Sequence, residues 1–194
     1  MAVQTHDPPS QRERILDIAL RLMADQGAAA TSMRQLAKAC DLNVAAIYHY
    51  FPSKADLLRS VIEERRYTLR LAELPPLDVS LPPRDRLVGL VMTIQEGAVE
   101  EEQIWRLLLG EGLRGEAAAL AASRELLEVI EPAVRGWIAE LFADVELDPE
   151  ATATVVITQL LGFFVGYLFR PPAERAERMR ADAEAIATLA FGPP

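Results

Sequence analysis

The sequence predicts an all-α protein of about nine helices, on three observations. Apolar residues recur at helical spacing, and few runs alternate with period 2. β-branched residues, which strands favour, are sparse outside Val155–Ile157 and Val88–Ile94. Glycine and proline at Gly27, Pro75-Pro76, Pro82-Pro83, Gly110–Gly115 and Pro171-Pro172 cut the chain into helix-length pieces.

Taken in order, residues 1–9 form a mobile, disordered arm ending at Asp7-Pro8-Pro9, and Ser10 is placed to cap a first helix. That helix runs to about Gln26, with Ile15, Ala19 and Leu22 at i, i+4 and i+7, and Gly27 stands where a C-terminal glycine ends a helix. Short helices follow at about 31–39 and 43–50, then a longer one from Lys54 to about Glu73. Beyond a proline-bracketed linker, helices are expected at about 84–98, 101–110, 117–143, 149–169 and 173–190. Gly110, Gly112 and Gly115 should separate the second from the third of these, and Pro132 should kink or divide the third. Asp148-Pro149-Glu150 has the form of a cap followed by proline in the first helical position.

Composition bounds the function. The chain has 20 Lys+Arg against 29 Asp+Glu and a net charge of −9, which by itself argues against binding a polyanion. The charge is uneven, however: residues 1–60 carry a balance of +1 and residues 61–194 a balance of −10. One cysteine and two histidines give no basis for a disulfide framework, a metal site or a cofactor. No glycine-rich phosphate loop, zinc signature or nucleophile elbow is present, so an enzyme is not expected. Residues 1–14 lack the apolar centre of a signal peptide. Ala151–Phe169 is uncharged over 19 residues, near the length of a membrane span. Its threonines, Gln159 and unbiased flanks instead favour a helix buried on more than one side, and no membrane partner.

The informative segment is Thr31–Phe51, TSMRQLAKACDLNVAAIYHYF. Met33, Leu36, Ala37 and Cys40 form the inner face of one short helix, Leu42 sits in the turn, and Ile47, Tyr50 and Phe51 are assigned to the core side of the next. Asn43 is placed to cap that second helix. This is the apolar spacing of a helix-turn-helix, whose second helix enters the DNA major groove. Asn43, Val44, Ala45 and Ala46 are small enough for close approach to base edges. Tyr48, His49 and Lys54 suit phosphates, as do Thr31 and Ser32 at a helix start, with Arg34 completing the set. Arg12 and Arg14 either reach DNA or only solvate the first helix, and Cys40 is read as a small apolar filler.

The segment resembles the tetracycline-repressor (TetR) family of bacterial transcriptional regulators. The residues that carry the resemblance are Gly27, Thr31, Leu36-Ala37, Leu42-Asn43, Ile47–Phe51, Ser53-Lys54 and Asp56–Leu58. Asp41 stands at a turn position that the family usually gives to glycine, and Ala45 at another position often held by glycine. Aspartate tolerates left-handed backbone angles better than most residues, so the turn should survive.

The resemblance implies a helix-turn-helix DNA-binding domain over 10–58, with its motif at about 32–51, and a larger ligand-binding and dimerisation domain over 59–194. It implies a cytoplasmic bacterial homodimer that binds an inverted-repeat operator and is released by a small-molecule effector. An apolar effector pocket with few polar groups would draw on Met92, Thr93, Trp105, Leu109, Trp137, Gln159 and Phe163, with Gln95, Arg106 and Thr158 as polar alternatives. A dimer face on the last two helices would use Leu160, Phe164, Tyr167, Leu168, Met179, Ala183 and Ile186. Two readings compete. One is an acidic helical protein-interaction module with weak or no sequence-specific DNA binding, motivated by Asp41 and the nearly neutral head. The other is a membrane anchor through 151–169.

Overall fold

The computed structural model describes residues 10–64 and 75–193. Among these residues there are nine helices and no strand: α1 (Gln11–Gln26), α2 (Met33–Ala39), α3 (Val44–Tyr50), α4 (Lys54–Glu64), α5 (Pro83–Glu100), α6 (Glu102–Leu113), α7 (Ala117–Leu141), α8 (Pro149–Phe169) and α9 (Pro172–Phe191). The N-terminal arm and the stretch of the fourth helix expected to reach Glu73 lie outside the described residues.

The chain divides into two compact units, Met1–Arg66 with Gln103–Glu125, and Tyr67–Glu102 with Leu126–Pro194. In the first unit, α1 packs on α4 and α2, and α2 packs on α3. Ile15, Leu16, Ala19 and Met23 of α1 meet Leu36, Ile47, Phe51, Leu57, Val61 and Ile62 in a core from which water is nearly excluded. Each of these side chains larger than alanine contributes about 1.5–3 kcal/mol by leaving water. α1 begins in a reciprocal capping box: the Ser10 hydroxyl accepts from the Glu13 N–H, and the Glu13 carboxylate accepts from the Ser10 N–H. α1 ends at Gly27, whose φ of 86° few other residues would adopt.

In the second unit α5 packs along α9, and both pack on α8. Arg84 at the start of α5 donates to the Gly192 carbonyl (2.7 Å) and the Thr188 hydroxyl (2.9 Å), so α5 and α9 run antiparallel and an exposed helix end is capped. Arg86, 3% exposed, donates to the Leu141 carbonyl and grips both Asp144 oxygens at 2.7–2.8 Å. Its guanidinium also lies over the Phe142 ring. The Asp148 side chain caps α8 by accepting from the Glu150 N–H at 2.9 Å.

Several expectations are corrected. α6 runs through Gly110 and Gly112 and gives way only before Gly115, which has φ 80°. A helical glycine costs only about 0.5–1 kcal/mol, less than the anchoring of Glu111, described below. Of the two outcomes expected at Pro132, kink or division, division does not occur, since α7 is continuous through it. The carbonyl its ring deprives of a partner belongs to Glu128, which like Pro132 is exposed. Tyr50 is 37% exposed rather than core. Ile47 and Phe51, four residues apart, already fill the narrow inner stripe of so short a helix, and Tyr50 lies about 100° round from Phe51.

On α9, Leu189 and Ala190 are exposed, while Ala183, Ile186 and Ala187 are buried. The residues expected at a dimer face lie mostly inside. Leu160, Phe164, Tyr167, Ala183 and Ile186 are buried in their own unit, and Leu168 and Met179 are half-buried. The apolar side chains that α8 turns outward are Val155, Leu161, Val165 and Phe169. α8 is long and apolar enough, by length and composition, to cross a membrane. Six of its residues are nevertheless buried among protein groups.

Candidate nucleic-acid interface

α2 and α3 are held by local chemistry that leaves one face of α3 open. The Ser32 hydroxyl accepts from the Gln35 N–H at 3.1 Å and starts α2. α2 closes on Cys40, and the Leu42 N–H returns to the Ala37 carbonyl at 2.9 Å. Asp41 turns the chain with φ 55°, so it meets the left-handed requirement that glycine would otherwise meet. The Asn43 Oδ1 accepts from the Ala46 N–H at 2.8 Å and starts α3. Cys40 is buried and its thiol pKa is raised, first by that burial, so it is protonated filler rather than a reactive thiolate.

Ala45, Tyr48, His49 and Tyr50 are exposed on α3, with Val44 and Ala46 half-buried beside them. The His49 and Tyr50 rings meet edge to face at 5.4 Å. The outer surface therefore combines small apolar groups with two phenols and an imidazole, while Ile47 and Phe51 hold the opposite side. Tyr50 belongs to this surface although its spacing suggested the core.

The other candidates fall into two groups. Ser32, Arg34 and Asn43 are exposed, although the Ser32 and Asn43 oxygens already serve as caps. Thr31 is 2% exposed; its hydroxyl donates to the Gly27 carbonyl (3.0 Å) and accepts from Gln26 Nε2 (3.1 Å), so it locks the α1–α2 turn instead of facing outward. The Lys54 ammonium donates to the Ala29 carbonyl at 2.7 Å. Arg12 is committed inside the unit, donating to both Glu64 carboxylate oxygens and lying over the Phe51 ring at 5.1 Å. Arg14 is exposed.

One residue that sequence reasoning passed over is Glu111. It is 5% exposed; Oε1 accepts from the Ala28 N–H at 3.0 Å and from Arg114 Nη1 at 2.9 Å. A Cβ at Gly27 would lie 3.6 Å from both groups, an ordinary contact, so glycine is required there by its φ of 86° and not by space. Arg106 and Asp25, 3.5 Å apart, add a second tie between α6 and α1. The signal in the sequence is an acid on an apolar stripe, Ile104, Leu107, Leu108 and Glu111.

The expected pocket residues do not form one cluster within a unit. Trp105 and Leu109 belong to the first unit and are half-buried. In the second unit Trp137 and Phe163 are buried, and Met92 and Gln159 are half-buried. Thr93 is exposed, its hydroxyl donating to the Gly89 carbonyl at 2.9 Å. A recess of about 140 Å³ between α7 and α8, beside the Arg135–Glu150 ion pair, contains none of these residues and, of the polar alternatives, only Thr158. It is small against the roughly 300 Å³ at which ligand pockets begin.

The model described as "Bacterial regulatory proteins, tetR family" matches residues 15–61, the α1–α4 core with the motif at its centre. The chain is similar to the HTH-type transcriptional regulator BetI of Rhizobium meliloti, 30% identical over 111 residues, which are 56% of this chain and 55% of that protein; the match thus spans about half of that relative. It is similar to the HTH-type transcriptional regulator AcrR of Shigella flexneri, 28% identical over 188 residues, 90% of this chain and 86% of that one. The solved structure of Salmonella enterica GusR shares the fold at 23% identity and a TM-score of 0.68, covering 96% of both chains.

Proposed function

Since the chain belongs to the tetR family of bacterial regulatory proteins, a family of DNA-binding regulators rather than enzymes, we propose that it is a ligand-responsive repressor released from its operator by a small, largely apolar molecule. The observation that carries the reading is the exposed face of α3, held rigid from behind by Ile47 and Phe51 and from its start by the Asn43 cap. On that face Val44, Ala45 and Ala46 read base edges, and Tyr48 and His49, now joined by Tyr50, contact phosphates. Ser32 and Arg34 flank the same groove, and Lys54 supports the surface from behind through Ala29.

The protein acts in the bacterial cytoplasm as a homodimer on an inverted repeat. The DNA-reading domain is drawn over 10–58, and the ligand-binding and dimerisation role falls to 59–194. The outward side chains of α8, Val155, Leu161, Val165 and Phe169, supply the apolar surface for a partner protomer. An effector releases DNA only to the extent that it binds a non-reading state more tightly.

The test is gel retardation of the DNA upstream of the protein's own gene. Retention of that fragment over unrelated DNA, weakening as salt rises, supports the reading. Tyr48→Ala should weaken binding to every sequence, whereas Ala46→Ser should change the preference between sequences. Absence of salt-sensitive retention overturns the reading in favour of an acidic interaction module.

A further inference from the structure

Gln95 on α5 is 1% exposed, and neither its Oε1 nor its Nε2 has a hydrogen-bond partner. It shares a helix face with Val88, Val91 and Ala98, all buried, and α5 packs on α8 and α9. Burying both ends of an amide without partners is among the costlier choices for a core position, because each end loses its water and gains nothing. A methionine would fill similar space without that loss. The buried charged groups of the same unit behave differently. Among the described residues they are Arg86, whose two terminal nitrogens are engaged by Asp144 and the Leu141 carbonyl while its Nε has no partner, and Asp182, engaged by Arg178 at 2.6 Å.

We propose that Gln95 is the polar anchor of the effector site and that it selects an uncharged ligand whose apolar body ends in an adjacent donor and acceptor, as in a carboxamide or lactam. The inference rests on the effector reading above and specifies its chemistry. A primary amide offers one carbonyl acceptor and two N–H donors side by side, so a second amide satisfies both ends at once. A ketone satisfies only the N–H side. A carboxylate would bring a charge into an apolar site where the buried cation, Arg86, already has its counter-ion.

Three near-isosteric probes separate these cases: cyclohexanecarboxamide, cyclohexyl methyl ketone and cyclohexanecarboxylate, titrated calorimetrically into the full-length protein and into Gln95→Met. The carboxamide should bind about tenfold more tightly than the ketone, with the carboxylate weakest. Gln95→Met should erase the preference for carboxamide over ketone. Without ligand it should melt at a higher temperature than the parent, which also shows that the variant folds. Equal affinities for the three probes, no binding of the carboxamide at its solubility limit, or a preference that survives in Gln95→Met overturns the proposal. So does a lower melting temperature for unliganded Gln95→Met, which marks an amide satisfied by structural water. Retardation of the operator fragment with each probe distinguishes the two levels. Carboxamide preference without operator release keeps the anchor and overturns the effector reading, whereas release by all three probes with equal potency does the reverse.

Discussion

Glu111→Leu tests the tie between α6 and the end of α1. The substitution puts an apolar side chain of similar size in its place and removes the oxygen that accepts from the Ala28 N–H at 3.0 Å in a buried setting. That N–H then has neither water nor carboxylate. Leaving one buried donor unsatisfied costs about 1–3 kcal/mol. Arg114 contributes little to the loss, because its side chain is 59% exposed and water replaces its partner. Taking about 2 kcal/mol as the local cost, the opening equilibrium around residues 27–31 shifts by roughly 30-fold. Glu111→Gln keeps an acceptor at the same place and should lose much less, about 1 kcal/mol or under. Amide hydrogen exchange reads this directly: the Ala28 N–H should exchange roughly 30-fold faster in Glu111→Leu and only a few-fold faster in Glu111→Gln. Equal acceleration by the two variants, or none by either, would refute the assignment of a buried carboxylate acceptor at this turn.

Three further outcomes are expected. Asp41→Val should destabilise the first unit by about 1–2 kcal/mol, because a β-branched residue is forced to the left-handed angle, whereas Asp41→Gly should be close to neutral in thermal melting and should tighten DNA binding by removing a negative charge beside the motif. The Arg86 guanidinium holds the Asp144 carboxyl below its ordinary value of 3.8. A depressed folded-state pKa adds stability that is present above the unfolded value and lost as pH falls through the folded one. The melting-temperature gap between parent and Asp144→Asn should therefore be widest near neutrality and close progressively below about pH 4. Phe169→Glu, at a side chain 85% exposed, should leave the helical circular dichroism intact and shift the sedimentation equilibrium from dimer to monomer; a dimer that survives this change removes α8 from the interface.

The parts of the molecule readable in the sequence are those decided over a few residues. Ser10, Asn43 and Asp148 cap helices because their short polar side chains reach N–H groups two or three residues away. Gly27 and Asp41 turn the chain where they were expected to, and the spacing of Leu36, Ala37, Ile47 and Phe51 set the motif core. Tyr50 was misread because an inner stripe two residues wide has no tolerance for a third candidate. Thr31 was misread because a hydroxyl at a helix start looks the same whether it faces a phosphate or its own turn.

What the sequence determined by itself was thus the all-helical class, most helix boundaries, the helix-turn-helix and the family resemblance, all of which follow from backbone geometry and near-neighbour hydrogen bonds. Only the tertiary structure decided which side of α8 is inside, since a helix apolar nearly all round carries no periodic signal of its orientation. It also decided which polar groups are taken out of water. Glu111 is buried with partners, Arg86 is buried across from Asp144, and Gln95 is buried with none. Each of those outcomes depends on a helix distant in the chain, and no local pattern of residues encodes the approach of that second helix.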